Sequence, residues 1–121
     1  MEIKVVNIEK KFEKIKELHS YSVVAQMNNY YFKLVKVKRE FVWHQHPETD
    51  EVFVVIDGNL TIELRDKTLN LKKLEMVVIP KGVEHKPKCN EECKLLLIEP
   101  KDTVNTGNAI SDLTDTKLEW I

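Results

Sequence analysis

The spacing of apolar residues changes character near residue 20. Over residues 9–19, Phe12, Ile15 and Leu18 recur every three positions, Ile8 lies one turn earlier, and lysines and glutamates fill the gaps. That spacing predicts an amphipathic surface helix over 9–19, packed on something larger, with His19 near its end as a surface or capping residue. Beyond Ser20 the period becomes that of strands. Residues 21–25 are rich in β-branched and aromatic side chains, and Asn28-Asn29 reads as a turn. Across 30–38, Tyr31, Lys33, Val35 and Val37 alternate with Phe32, Leu34, Lys36 and Lys38. Lys33, Lys36 and Lys38 of this stretch are expected to coat the outside, with a cavity-facing position for some of them as the alternative. Further strands are expected at 41–46, 52–56, 60–64, 68–71, 75–79 and 94–99. Asp57-Gly58 and Arg65-Asp66-Lys67 supply turns between them, and Pro80 and Pro100 act as stops.

About eight short strands at intervals of roughly ten residues favour an antiparallel sandwich or barrel over parallel βαβ units. Residues 52–56 and 95–98 are apolar on both faces, so both faces need cover. The N-terminal helix, the ends of the chain or a second subunit can supply it, and a homodimer is expected. The stretch 101–121 is polar at first but closes on Leu118-Glu119-Trp120-Ile121. Such an end is expected to dock on its own barrel or on a neighbour.

Composition narrows the class without naming a chemistry. The chain has 121 residues, room for one domain, and 42 % are hydrophobic, enough for a core. Nineteen basic residues nearly cancel twenty acidic ones. Neither nucleic acid nor an anionic membrane is therefore expected as a partner. No apolar run has the roughly 18 residues of a membrane span. Met1-Glu2-Ile3-Lys4 lacks the apolar stretch of a secretory signal, so a cytoplasmic location is expected. Cys89 and Cys93 then read as two ordinary thiols beside a turn.

Three of the four histidines fall in two short clusters. One reads His44-Gln45-His46-Pro47-Glu48-Thr49-Asp50-Glu51, the other Pro80-Lys81-Gly82-Val83-Glu84-His85. Residues i and i+2 of a strand point to one side, about 6–7 Å apart, so His44 and His46 can converge on one ion. Pro47 ends that strand and the polar bend resets the alternation. Glu51, opening the next strand in the class of Phe53 and Val55, can then face inward. Gly82 gives a tight turn and His85 starts the returning strand. Three imidazoles and one carboxylate suit a single divalent transition metal (iron, manganese, nickel, copper or zinc) better than calcium or magnesium. Acid is expected to release the ion near pH 6 or somewhat below. Phe53 and Tyr31 are candidates for lining the cavity, whereas Trp43, in the opposite class from His44, is expected to pack between layers.

These residues resemble the cupin superfamily. Its first motif asks for His-x-His, Glu and Gly at the spacing of His44, His46, Glu51 and Gly58. Its second asks for Pro-x-Gly and His, met by Pro80, Gly82 and His85. The chain departs at the motif's leading glycine, where Leu74 stands, and at its trailing asparagine, where Cys89 stands. Glu99-Pro100 followed by Asn105-Thr106-Gly107 looks like the small one-domain cupins often labelled mannose-6-phosphate isomerase-like. The resemblance implies an all-β, double-stranded β-helix (jelly-roll) barrel with a short N-terminal helix. One cupin domain would span 1–121, with its core at about 30–100 and an extension at 101–121. It also implies His44, His46, Glu51 and His85 as metal ligands. The function expected is a metal-dependent enzyme acting on a small oxygenated metabolite, of isomerase or dioxygenase type. The alternative is a non-catalytic sensor or carrier of a metal or small ligand.

Overall fold

A computed structural model describes residues 2–121. One helix, α1 (Ile8–Glu13), precedes nine strands: β1 (Ser22–Met27), β2 (Tyr30–Val37), β3 (Glu51–Asp57), β4 (Leu60–Leu64), β5 (Thr68–Leu71), β6 (Met76–Ile79), β7 (His85–Lys88), β8 (Cys93–Pro100) and β9 (Glu119–Trp120). A six-stranded sheet runs β6-β3-β8-β2-β1-β9, and a three-stranded sheet β5-β4-β7 faces it. All pairs are antiparallel except β1 with β9. This is an antiparallel barrel, as the alternation suggests, and the jelly roll that the resemblance implies. Among the described residues no helix is long and apolar enough to cross a membrane.

Strand alternation decides what the two sheets enclose. Val35 of β2, Phe53 and Val55 of β3, Leu60 and Ile62 of β4, and Leu95 and Leu97 of β8 all turn into one buried cluster between the sheets. Complete burial of each such side chain is worth about 1.5–3 kcal/mol. Cys89 and Cys93 are free thiols within the same cluster. Gly58 makes the β3–β4 turn at φ +95°, where a Cβ would lie 2.9 Å from the Glu92 carbonyl oxygen. Both the turn and the close passage of the neighbouring chain require glycine.

The other apolar face of β3 and β8 is covered by the chain itself. Ile56, Leu96 and Leu34 meet Phe12 and Ile15 from the N-terminal segment, with Ile121 beside them. The C-terminal end docks on its own barrel, since the Ile121 N–H donates to Val23 O at 3.1 Å and Lys11 Nζ donates to Ile121 O at 2.6 Å. At the opposite edge Met76 and Val78 of β6 stay 58 % and 49 % exposed, so the cover stops short of that strand.

Two elements differ from the spacing-based expectation. The helix ends at Glu13 rather than running to residue 19. Lys14 and Ile15 already bond three residues back, Lys36 Nζ takes the Ile15 carbonyl at 2.7 Å, and His19 adopts φ 65°. Apolar residues every three positions suit a tight turn as well as a helix, and Leu18, at 42 % exposure, carries no core contact that would extend it. Residues 41–46 form no continuous strand. His44, and Glu40 just ahead of them, touch β7 through isolated bridges, His44↔His85 and Glu40↔Lys88.

Candidate metal centre

Four side chains from three separate stretches meet where the two sheets approach each other. His44 and His85 are paired backbone to backbone, N–H to carbonyl in both directions, at 3.0 and 2.9 Å. That bridge brings the first histidine cluster beside the start of β7. His46 is held by its neighbours: its carbonyl accepts from Gly82 N at 3.0 Å, so the Pro-x-Gly turn anchors the His-x-His segment. Glu51 is the first residue of β3, past the bend that Pro47 begins.

One ligating atom from each of His44, His46, Glu51 and His85 lies within 4.8 Å of all the others, and all four residues are buried. His46 Nε2 and His85 Nε2 each stand 3.3 Å from Glu51 Oε1. The far nitrogens are already committed. His44 Nδ1 and His85 Nδ1 each lie 2.9 Å from a backbone carbonyl oxygen, of Val42 and Val83. Donation from Nδ1–H fixes the tautomer and leaves Nε2 as a bare lone pair aimed at the centre. His46 Nε2, His85 Nε2 and Glu51 Oε1 are buried without a hydrogen-bond partner. Buried lone pairs facing one another without a donor are costly, and a cation among them removes that cost. The donor set therefore fits a divalent transition metal, with mixed nitrogen and carboxylate ligands.

A second carboxylate supports the first. Glu99, near the end of β8, is 2 % exposed, and Lys33 Nζ, itself 3 % exposed, donates to its Oε1 at 2.9 Å. Burial and the adjacent Glu51 charge push the Glu99 carboxyl well above the usual range, with Lys33 pulling the other way. Burial also works against ionised Glu51, but contacts from Glu99, His46 and His85 together outweigh it and hold Glu51 well below that range. Glu99 is thus shifted towards its neutral form beside ionised Glu51, where an outer carboxyl group can orient a ligand. Lys33 thus corrects the expectation that the lysines of residues 30–38 coat the outside.

Burial, then the neighbouring His85, lowers the His44 pKa to about 4. The same shift makes a stability prediction. Between pH 6.5 and 4 the unfolded chain protonates His44 and the folded chain does not, so the stability this residue confers is complete above 6.5 and lost as pH falls towards 4. Glu99 has the opposite sign, so the contribution must be taken as a difference. In chelator-treated protein, the gap in unfolding free energy between wild type and His44→Gln should shrink by about 3 kcal/mol from pH 7 to 4. Urea titrations across that range measure it, and a gap independent of pH contradicts the shift.

A cavity opens over the cluster. Val35, Val37, Phe53, Leu95 and Leu97 wall it, with His44, Glu51 and Glu99 at its polar side and Tyr21, Arg39 and Asn105 also facing it. Burial raises the Tyr21 hydroxyl to about 12, against a smaller opposing pull from Asn105. Phe53 lines the cavity and meets His85 edge-on, with ring centroids 6.0 Å apart. Tyr31 is not among the residues lining it, and its ring meets that of Trp120 edge-on at 5.5 Å. Trp43 is also outside the cavity, but it packs under Arg65, 3.8 Å from its ring, rather than between layers.

The sequence pattern singled out Glu99 and Asn105-Thr106-Gly107 only as a family likeness, with no role at the site, and did not place Tyr21 there. The 104–109 loop clamps the His-x-His segment: Gln45 N donates to Asn108 Oδ1 at 2.9 Å, and Asn108 N donates to Gln45 O at 3.1 Å. A usable signal did exist for Glu99, which shares the alternation class of Leu95 and Leu97 on a strand whose inner face is otherwise apolar.

The model of the cupin domain family matches residues 31–99. An uncharacterised protein of Bacillus subtilis, YdbB, is 34 % identical over 88 residues, which cover 72 % of this chain and 78 % of that one. Among solved structures, a cupin-2 domain containing protein from Shewanella frigidimarina is 55 % identical, with a TM-score of 0.77 over 79 % of this chain and 94 % of the other. The NMB1881 protein of Neisseria meningitidis is 28 % identical, with a TM-score of 0.73 over 80 % and 99 % of the two chains.

Proposed function

The chain belongs to the cupin domain family, and from that premise we propose that it is a metal-dependent enzyme acting on a small oxygenated metabolite. The observation that carries this reading is the position of the converging donors. They lie at the edge of a cavity that also presents Glu99, Tyr21 and Arg39, polar groups beyond what holding an ion requires. A site for metal storage or structure alone has no need of spare titratable side chains beside it. His44, His46, Glu51 and His85 would hold the ion. Bound there, a divalent transition metal would polarise a carbonyl or hydroxyl oxygen, or activate dioxygen if redox-active. The protein's own part is to fix the ligands through Glu99 and the Val42 and Val83 carbonyls, and to keep water scarce with apolar walls. Glu99 is placed to hold a proton near a substrate oxygen.

Within this reading, a phosphosugar isomerase is less well supported than chemistry on a small metabolite. A phosphosugar needs several cations gathered on its phosphate, and Arg39 is the one arginine facing the cavity. Arg65 is engaged outside, with Glu84 at 3.3 Å. The space is also small, about 50 Å³.

Mass-spectrometric screening of a pool of small hydroxy- and oxo-compounds tests catalysis against mere binding. The expected result is many turnovers of at least one compound by metal-replete protein and none by the His46→Ala variant. Stoichiometric retention of an unchanged compound would instead favour the carrier or sensor reading.

A further inference from the structure

Arg39 is a cation without a counter-ion at an apolar cavity. The other basic side chains around the site are engaged: Lys33 donates to Glu99 and Lys88 to Glu63, each at 2.9 Å. Arg39 takes part in no ion pair among the described residues, although it is half-buried. Its position is fixed from two sides. Its carbonyl accepts from Cys89 N at 3.0 Å, and its guanidinium carbon lies 5.1 Å from the centre of the Phe41 ring. Phe41 in turn stands edge-on to His44 at 5.3 Å. The guanidinium is thus within about 10 Å of the His44 ring, and Phe41, which also faces the cavity, bridges the two.

These facts select a ligand. The free space of about 50 Å³ admits only a small ligand, since one water centre needs about 10–15 Å³. The walls are mostly apolar, made by Val35, Val37, Phe53, Leu95 and Leu97. A planar fork of donors left unpaired beside such walls recognises a carboxylate.

We propose that Arg39 anchors the carboxylate of a short oxo- or hydroxy-acid, of about three to five carbons, whose other oxygen end faces His44, His46, Glu51 and His85. This rests on the metal-site reading and adds the substrate class to it. Arg39 is a specificity-determining residue that fixes which end of the ligand meets the centre.

Calorimetric titration tests the assignment with defined probes: acetoacetate and 4-hydroxybutyrate, each against a neutral counterpart, acetoacetamide or 1,4-butanediol. The proteins are metal-replete wild type, Arg39→Gln and Arg39→Lys, each with its metal content measured. The Gln variant should bind the acids on the order of 10- to 100-fold more weakly, the Lys variant should recover part of the loss, and the neutral probes should be unchanged. Equal acid affinity in wild type and Arg39→Gln, both holding one ion, overturns the role of Arg39 and leaves the metal centre standing. Failure of metal-replete wild type to bind either acid below about 10 mM also overturns it. A wild-type protein that takes up no ion overturns both readings.

Discussion

His46→Ala should abolish stoichiometric metal and, with it, the thermal stabilisation that metal confers. Outer residues that merely orient a ligand cost about 10–100-fold in metal affinity when removed, so losing a ligand should cost at least about 100-fold. An ion at 100 times its dissociation constant stabilises the folded chain by about 2.7 kcal/mol, several degrees of melting temperature for a domain of this size. The sharpest form of the result is a comparison within each protein. Chelation should lower the melting temperature of wild type and leave that of His46→Ala unchanged. The comparison is insensitive to any structural cost of the substitution, because both states of the variant carry it. Melting curves with and without chelator, alongside elemental analysis, give the answer. A variant that still binds one ion per chain would remove His46 from the ligand set.

The second large effect concerns a residue that is no ligand. Gly107 adopts φ +54°, and a Cβ there would sit 2.1 Å from Gln45 O and 3.2 Å from His46 Nδ1. Both strain and collision oppose any side chain. The left-handed conformation costs a non-glycine residue about 1–2 kcal/mol, and overpacking adds about 1–3 kcal/mol. Gly107→Ala should therefore lower the melting temperature by on the order of 10 °C. Because the colliding atoms belong to the His-x-His segment itself, metal affinity should fall as well, by on the order of tenfold. A Gly107→Ala protein that melts within about 2 °C of wild type and binds metal normally would show that the 104–109 loop does not set the position of His46.

The contrast between these two residues shows what kind of information the chain exposes. His44, His46, Glu51 and His85 were legible because local rules place each one. The i, i+2 spacing pairs the first two, Pro47 resets the alternation ahead of Glu51, and the Gly82 turn delivers His85 to the start of β7. Those rules act over a few residues and survive in a linear reading. Gly107 acts on Gln45 from 62 positions away, and nothing local to either residue announces the contact. The Lys33–Glu99 pair is intermediate. Both residues alternate with apolar ones, Lys33 with Val35 and Val37, Glu99 with Leu95 and Leu97, and β2 and β8 lie side by side. The pattern placed Lys33 on the inner face, but its charge argued for solvent, and only the partner across the strand pair reverses that argument. Tyr31 shows the converse error. It shares the class of Lys33 and Val35, yet its ring packs against Trp120 instead of lining the cavity.

The same distinction explains the helix. Phe12 and Ile15 are buried as their spacing requires, so the hydrophobic signal was sound. What the period could not show is that Lys36, from β2, takes the Ile15 carbonyl and helps close the turn after Glu13. The doubly apolar strands likewise demanded cover without saying from where. Phe12, Ile15 and Ile121 supply it over Leu34, Ile56 and Leu96.

Diffraction from crystals of the metal-replete protein, recorded at the absorption edge of the element found by analysis, locates the ion itself. One anomalous peak is expected within about 2.0–2.3 Å of an Nε2 atom of each of His44, His46 and His85 and of a Glu51 carboxylate oxygen. A peak held by other residues, or full occupancy with any one of those four side chains turned away, would contradict the four-ligand centre.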